Sequence, residues 1–285
     1  MHVSARTDLA SEARELWEQN PGQTTKLEGV EARDEDVSGF HVASVDILDE
    51  NGSSLLCKPI GKYFTLSVEN LIRRSSDAFE NACSALSSLL RRFEIPEAGD
   101  VLVACLGNPN ITPDAIGPLA ADSVLLTRHL KRSLPDDFKA FRSVTVLRTG
   151  VLGTTGIESA ENVLAVCERL RPACVIAVDA LASAELGRLC STVHLTDTGI
   201  SPGSGVGNDR AALNEDFLGI PVLAVGVPTV VDAASFTDAA AAKDMFVTPR
   251  GIDELVRCTA RLVGYGINLT LHSGITVSDI DMLID

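Results

Sequence analysis

The chain has 285 residues, a formal net charge of −15, and 45% hydrophobic residues of which few are aromatic. That length supports one large α/β domain with an aliphatic core, and the negative charge argues against direct nucleic-acid binding. No apolar run approaches membrane-spanning length and no secretory signal opens the chain, so no membrane contact and a cytoplasmic location are expected.

Residues 1–20 read as a short arm and then a helix patterned on Ala13, Leu16 and Trp17, with Thr7 or Asp8 able to cap it. Residues 21–39 are polar and read as a loop. Residues 40–48 alternate apolar and polar, Asn51-Gly52 is a turn signal, and residues 54–58 resume the pattern, which predicts a β-hairpin. A long helix follows, with Leu71, Ile72, Phe79, Cys83, Leu86, Leu90 and Phe93 on its apolar face and Pro96 at its end. The first fifty residues hold 12 acids and 4 bases. Such acidity serves solubility, or favours basic stretches of a partner protein.

From residue 100 a βα rhythm takes over. Residues 101–106 form a continuous apolar run that suits a strand buried on both faces of a parallel sheet. A loop with two prolines then delivers Asp114 to Ala115-Ile116-Gly117. Asp114 reads either as a helix cap or as an acid beyond a strand's carboxyl end, where ligands gather in open α/β sheets. A helix through Leu119, Leu125, Leu126, His129 and Leu130 comes next; His129, beside Arg128 and close to Lys131, reads as solvated.

Residues 143–148 form the next strand. The loop after it carries Gly150, Gly153 and Gly156, which allow close backbone approach. It reads as a cleft wall lined by Thr155, Gly156 and Glu158, although Glu158 would also favour the N-terminus of the helix over 157–170. A second buried strand over 174–178 ends directly in Asp179. One βαβ unit separates the two aspartates, so both reach the same edge of the sheet. Two unrelated helix caps are the plain alternative.

Without a metal, two close carboxylates share a proton, and the pair can activate water while protonating a leaving amine. With a metal between them they become oxygen ligands. A helix and a strand over 191–196 follow Asp179, then a glycine cluster from Asp197 to Asn208. Its spacing is a poor nucleotide fingerprint, so it reads as a shaped loop that brings Asp197 near the cleft. Residues 222–227 form the last clear strand. Asp232 lies beyond it and reads as structural. Residues 236–247 and 252–263 read as helices, and the remainder has no placement. Seven scattered cysteines without a CxxC pair read as reduced and buried. No cofactor is expected, with a divalent metal left open.

The segments LGNPNITPDAIGPLAAD, TGVLGTTGIES, VIAVDALAS, TDTGISPGSGVGN and LGIPVLAVGVPTVVDA occur in that order. They resemble the signature segments of the germination protease family of spore-forming bacteria, from about residue 6 to about residue 240. That family's proposed catalytic aspartates, in TPDA and DALA, fall on Asp114 and Asp179. The resemblance implies an endopeptidase that degrades small acid-soluble spore proteins during germination. It also implies a homotetramer, a place in the forespore or spore core, and a mostly parallel sheet with helices on both faces, similar to hydrogenase-maturation endopeptidases. Family members are made as self-processing zymogens cut at a Thr-Glu then apolar-Ala pattern. Thr7-Asp8-Leu9-Ala10 fits it, which places the cut between Asp8 and Leu9. Residues 1–8 would then be the pro-segment, and 9–285 one peptidase domain with an N-terminal elaboration over about 9–96. Family members carry histidine where this chain has Ser201. Two alternatives stand beside this reading: a metal-dependent endopeptidase using the same aspartates, and a protein that holds spore proteins without cutting them.

Overall fold

The computed structural model of the chain describes residues 9–12, 28–69, 71, 76–203, 210–236, 242 and 245–284. Among them nine strands form one mixed sheet. Its parallel half is built from β4 (Val101–Leu106), β5 (Val144–Gly150), β6 (Cys174–Ser183) and β8 (Val222–Asp232), in the spatial order β8-β6-β4-β5. An antiparallel flank continues from β8 through β7 (Thr192–Thr196), β3 (Gly61–Ser67) and β2 (Phe40–Ile47) to the edge strand β1 (Val30–Val37). A two-residue strand, β9 (Phe246–Val247), pairs with the end of β8.

Helices cover both faces. On one, α2 (Ser76–Leu90), α3 (Ile116–Ala121) and α8 (Ile252–Leu271) share a core with Val103, Cys105, Ile176 and Val225. On the other, α6 (Ser159–Leu170) packs Ala160, Val163 and Cys167 against Leu102, Ala104, Val175 and Ala177. Residues of one strand alternate between these two cores, which is why the strands read as unbroken apolar runs. From β4 the chain first passes to β5 on one side and then back to β6 on the other side of β4. The order reverses there, and the crevice at a reversal of strand order is where open α/β sheets bind ligands.

The antiparallel half departs from the sequence reading. The expected hairpin through Asn51-Gly52 is instead a helix, α1 (Glu50–Leu56): Asp49 caps it by accepting from Gly52 N at 3.0 Å, and Cys57 ends it at φ 52°. The true hairpin is β1–β2, turned at Ser38 and Gly39 with φ values of 54° and 83°. Residues 30–37 looked like loop because VEARDEDV carries four acids. An edge strand tolerates such charges because one side lies in water, where they also discourage edge-to-edge pairing.

The single helix expected through Leu119 and Leu130 is broken into α3 and α4 (Arg128–Ser133). Asn268 of α8, fully buried, holds the break open: its Oδ1 accepts from Leu125 N at 2.9 Å and its Nδ2 donates to Ser123 O at 2.8 Å. Asn268→Ala strands both backbone groups and is expected to cost about 3 kcal/mol, read as a lowered urea midpoint with unchanged slope.

Other expectations shift at the ends. β6 runs five residues further than expected, so Asp179 lies within it; a single 3-10 turn over Leu186–Arg188 stands where a helix was expected. β8 extends through Asp232, which caps the next turn by accepting from Ala234 N at 2.9 Å. The expected helix over 236–247 falls partly outside the described residues, and its end is β9. The final segment forms α9 (Val277–Ile284). The expected helix through Ala13, Leu16 and Trp17 lies outside the described residues.

Five of the seven cysteines are buried, Cys258 is intermediate and Cys57 is exposed. Burial pushes the Cys105 and Cys190 thiols up to about 12 and those of Cys167 and Cys174 to about 11, which makes them poor nucleophiles. Among the described residues no helix is long and apolar enough to cross a membrane.

Candidate active site

Asp114 closes a 3-10 turn over Thr112–Asp114 that folds back onto the end of β4. Asn108 N donates to both the Asp114 carbonyl, at 3.0 Å, and its Oδ2, at 2.9 Å. Gly107, at φ 110°, makes this possible, since a Cβ there would lie 2.1 Å from the Asp114 carbonyl oxygen. Thr229 of β8 ties the same turn to the sheet by donating to Pro113 O at 2.6 Å.

Asp179 is 5% exposed, and its Oδ1 accepts from Ala180 N at 2.9 Å. The β4–β6 ladder ends at Cys105 and Val178, whereas the β6–β8 ladder continues past Asp179. Asp179 is therefore the first residue of β6 beyond its ladder with β4, and the Asp114 turn packs against the same strand. Both aspartates line one cleft of about 370 Å³.

The cleft wall includes Val151 from the connection after β5 and Ser159 at the start of α6, and Ser201, Pro202, Gly203 and Arg210 from the loop after β7. Thr155 and Gly156 are exposed and do not line it. Thr155 Oγ1 instead serves its own turn, donating to Val151 O and Ile157 O, and Gly156 ends α5 (Leu152–Thr155) at φ 72°. Glu158 meets the cleft through Arg210, at 3.8 Å. Asp197 accepts from Lys62 N at 2.8 Å and so fastens β3 to the end of β7, outside the cleft. Asp232 and the exposed His129 do not line it either.

Burial raises the Asp114 carboxyl above its ordinary value; the Asn108 N–H and the Arg210 guanidinium oppose that shift without cancelling it. Neither Asn108 nor Arg210 was singled out in the sequence. Arg210 follows the glycine cluster, and an isolated cation beside an expected cleft loop is the one signal by which it could have been found. Among the described residues no group of three or more His, Cys, Asp or Glu is placed to hold a metal ion. The two aspartates alone would be a sparse oxygen donor set for a divalent cation.

The fold is thus an open α/β sheet with two carboxylates lining one cleft beside its point of strand reversal. A family model of the germination proteases matches residues 7–242. The germination protease of Caldanaerobacter subterraneus subsp. tengcongensis is 37% identical, over 99% of this chain and 98% of the relative. That of Clostridium tetani is 35% identical over 99% and 100%, and that of Bacillus licheniformis 42% identical over 82% and 65%. The chain belongs to the germination protease family, a family of peptidases.

Proposed function

We propose that the chain is an endopeptidase that degrades small acid-soluble spore proteins during germination, with Asp114 and Asp179 as its acid–base pair. The observation that carries this reading is the convergence of both carboxylates on one cleft in a germination protease. In this assignment Asp179 is the base and takes a proton from a water that attacks the peptide carbonyl carbon. Asp114, whose burial favours the protonated form, donates to the carbonyl oxygen. The proton held by Asp179 then passes to the amide nitrogen as the C–N bond breaks. Both carboxyls return to their starting states when Asp114 recovers its proton from the tetrahedral intermediate.

In this reading the chain is made as a zymogen in the forespore, assembles as a homotetramer, and cuts itself between Asp8 and Leu9. Asp8 lies outside the described residues, and Leu9 is buried. The test is intact-mass analysis of a small acid-soluble spore protein incubated with the chain beginning at Leu9. Fragments ending at a Thr-Glu/apolar-Ala site support the reading, and an uncut substrate that stays bound favours the holding protein. Activity lost to a chelator and restored by one divalent metal would favour the metal-dependent alternative.

Arg210→Met gives a finer test. Removing a cation that lowers the Asp114 pKa moves that pKa up. If Asp114 is the acid, the alkaline limb of kcat/KM against pH moves upward; movement of the acidic limb would reverse the two roles.

A further inference from the structure

Among the described residues that line the aspartate cleft there is one cation, Arg210, beside the two acids Asp114 and Asp179. Its side chain is 23% exposed, so most of it has left water. Its ion-pair partner among the described residues is Glu158, whose Oε2 lies 3.8 Å from Nη1, beyond hydrogen-bond length. No described group accepts a hydrogen bond from the guanidinium. Other part-buried arginines of this chain are met. Arg128, with the same 23% exposure, donates to Asp100 at 2.9 Å, and Arg142 donates to the carbonyls of Glu97, Ala98 and Gly99. A guanidinium carries five N–H donors in a fixed fork, and leaving them desolvated without acceptors is costly.

Charge balance for the aspartates does not account for Arg210. It acts on Asp114 through space and favours the ionised carboxylate, whereas the reaction proposed above uses Asp114 protonated. A cation that served only the aspartates would work against the general acid. One that is covered by a substrate anion during the reaction does not. The anion that matches a guanidinium fork is a carboxylate, held through two parallel N–H···O bonds. A polypeptide offers that group from two sources, an acidic side chain near the bond to be cut and the free end of the chain.

We propose that Arg210 is a specificity-determining residue of the aspartate cleft, and that its guanidinium pairs with a substrate carboxylate held close to the bond that is cut. The proposal rests on the peptidase reading above. The pairing also reaches the chemistry. The groups that bear on the Asp114 charge are the Asn108 N–H and Arg210, with Asp179 in the same cleft and Glu158 beyond the guanidinium. A carboxylate on Arg210 cancels that cation, so Asp114 keeps its proton to higher pH with an acidic substrate bound than with a neutral one. Specificity of this kind is felt in kcat as well as in KM.

Peptides test it with binding and cleavage read separately. Overlapping ten-residue peptides that tile a small acid-soluble spore protein are made in three forms: with acidic side chains, with those side chains as amides, and with only the terminal carboxyl as amide. Binding is read by fluorescein anisotropy on the Asp179→Asn chain, with and without Arg210→Met. Cleavage is read as kcat and KM on the full chain and on the chain beginning at Leu9. At least one peptide is expected to bind and be cut about tenfold better as the acid than as the side-chain amide. Arg210→Met is expected to close that gap to within about twofold, and Arg210→Lys, which keeps the charge and loses the fork, to leave part of it. A gap that follows the terminal amide instead assigns the carboxylate to the chain end. The alkaline limb of kcat is expected at higher pH for the acid form with the parent, and at one pH for both forms with Arg210→Met. Acid and amide forms that bind alike, or a gap that survives Arg210→Met, would overturn the proposal. Cleavage without the gap sinks the pairing alone, and a gap in binding without any cleavage sinks the peptidase.

Discussion

Asp114→Asn and Asp179→Asn are each expected to lower peptide-bond cleavage by roughly 10²–10⁴-fold, with kcat carrying the loss and KM little changed. The double variant is expected to lose scarcely more than either single one, because two groups that share one proton-transfer step act as a unit. Asp114→Asn should also stabilise the fold at neutral pH. Burial raises the Asp114 pKa, so folding opposes its ionisation. That penalty is absent below the ordinary carboxyl value of 3.8, grows as pH rises from there to the raised value, and is fully present above it. An amide carries no such penalty and keeps an oxygen to accept from Asn108 N. Parent and variant should therefore melt together in strong acid, with the variant a few degrees higher near pH 7. Measuring both quantities on one preparation decides the matter: a variant that cuts as fast as the parent removes Asp114 from the chemistry, and a variant that loses activity by unfolding would melt lower.

Gly117→Ala is expected to be strongly destabilising although it adds only one methyl near the site. A Cβ on Gly117 would lie 2.1 Å from Leu106 O, 2.6 Å from Leu106 N and 2.7 Å from Val178 O. All three are backbone atoms of β4 and β6 and cannot rotate aside, so either α3 lifts from the sheet or the two strands part. Overpacking usually costs about 1–3 kcal/mol, and backbone on both sides places this case at the upper end, about 3–4 kcal/mol or a Tm lower by roughly 10 °C. Activity should fall beyond the lost folded fraction, because Leu106 leads into the Asp114 turn and Val178 precedes Asp179. Urea unfolding within about 1 kcal/mol of the parent would show that α3 need not sit so close.

The close seat of α3 also shows why the parallel half of this protein was legible in its sequence. Strands buried on both faces must be apolar at every position, so residues 101–106 and 174–178 stood out, and the acids that end or interrupt such runs stood out with them. Asp114 and Asp179 were found in this way, and the family resemblance picked the same two. The antiparallel half has no such signature. β1 carries its acids on an exposed edge, and Asn51-Gly52 is drawn into a helix by the Asp49 cap. A local turn signal loses there to a capping interaction that only the packed chain positions.

What the sequence determined by itself is the alternation of apolar runs and helical faces, and with it the edge of the sheet at which two carboxylates emerge. These follow from the residue periods of strand and helix and from the handedness of βαβ connections, all of which act over short stretches of chain. Only the tertiary structure decided what surrounds the carboxylates. Arg210 reaches the Asp114 cleft from a loop nearly a hundred positions on, Asp197 is drawn off to fasten Lys62, and Glu12 is met by Arg188 from the turn between β6 and β7. These contacts are set by long-range packing and by the need to pair buried polar groups, and neither leaves a period in the sequence.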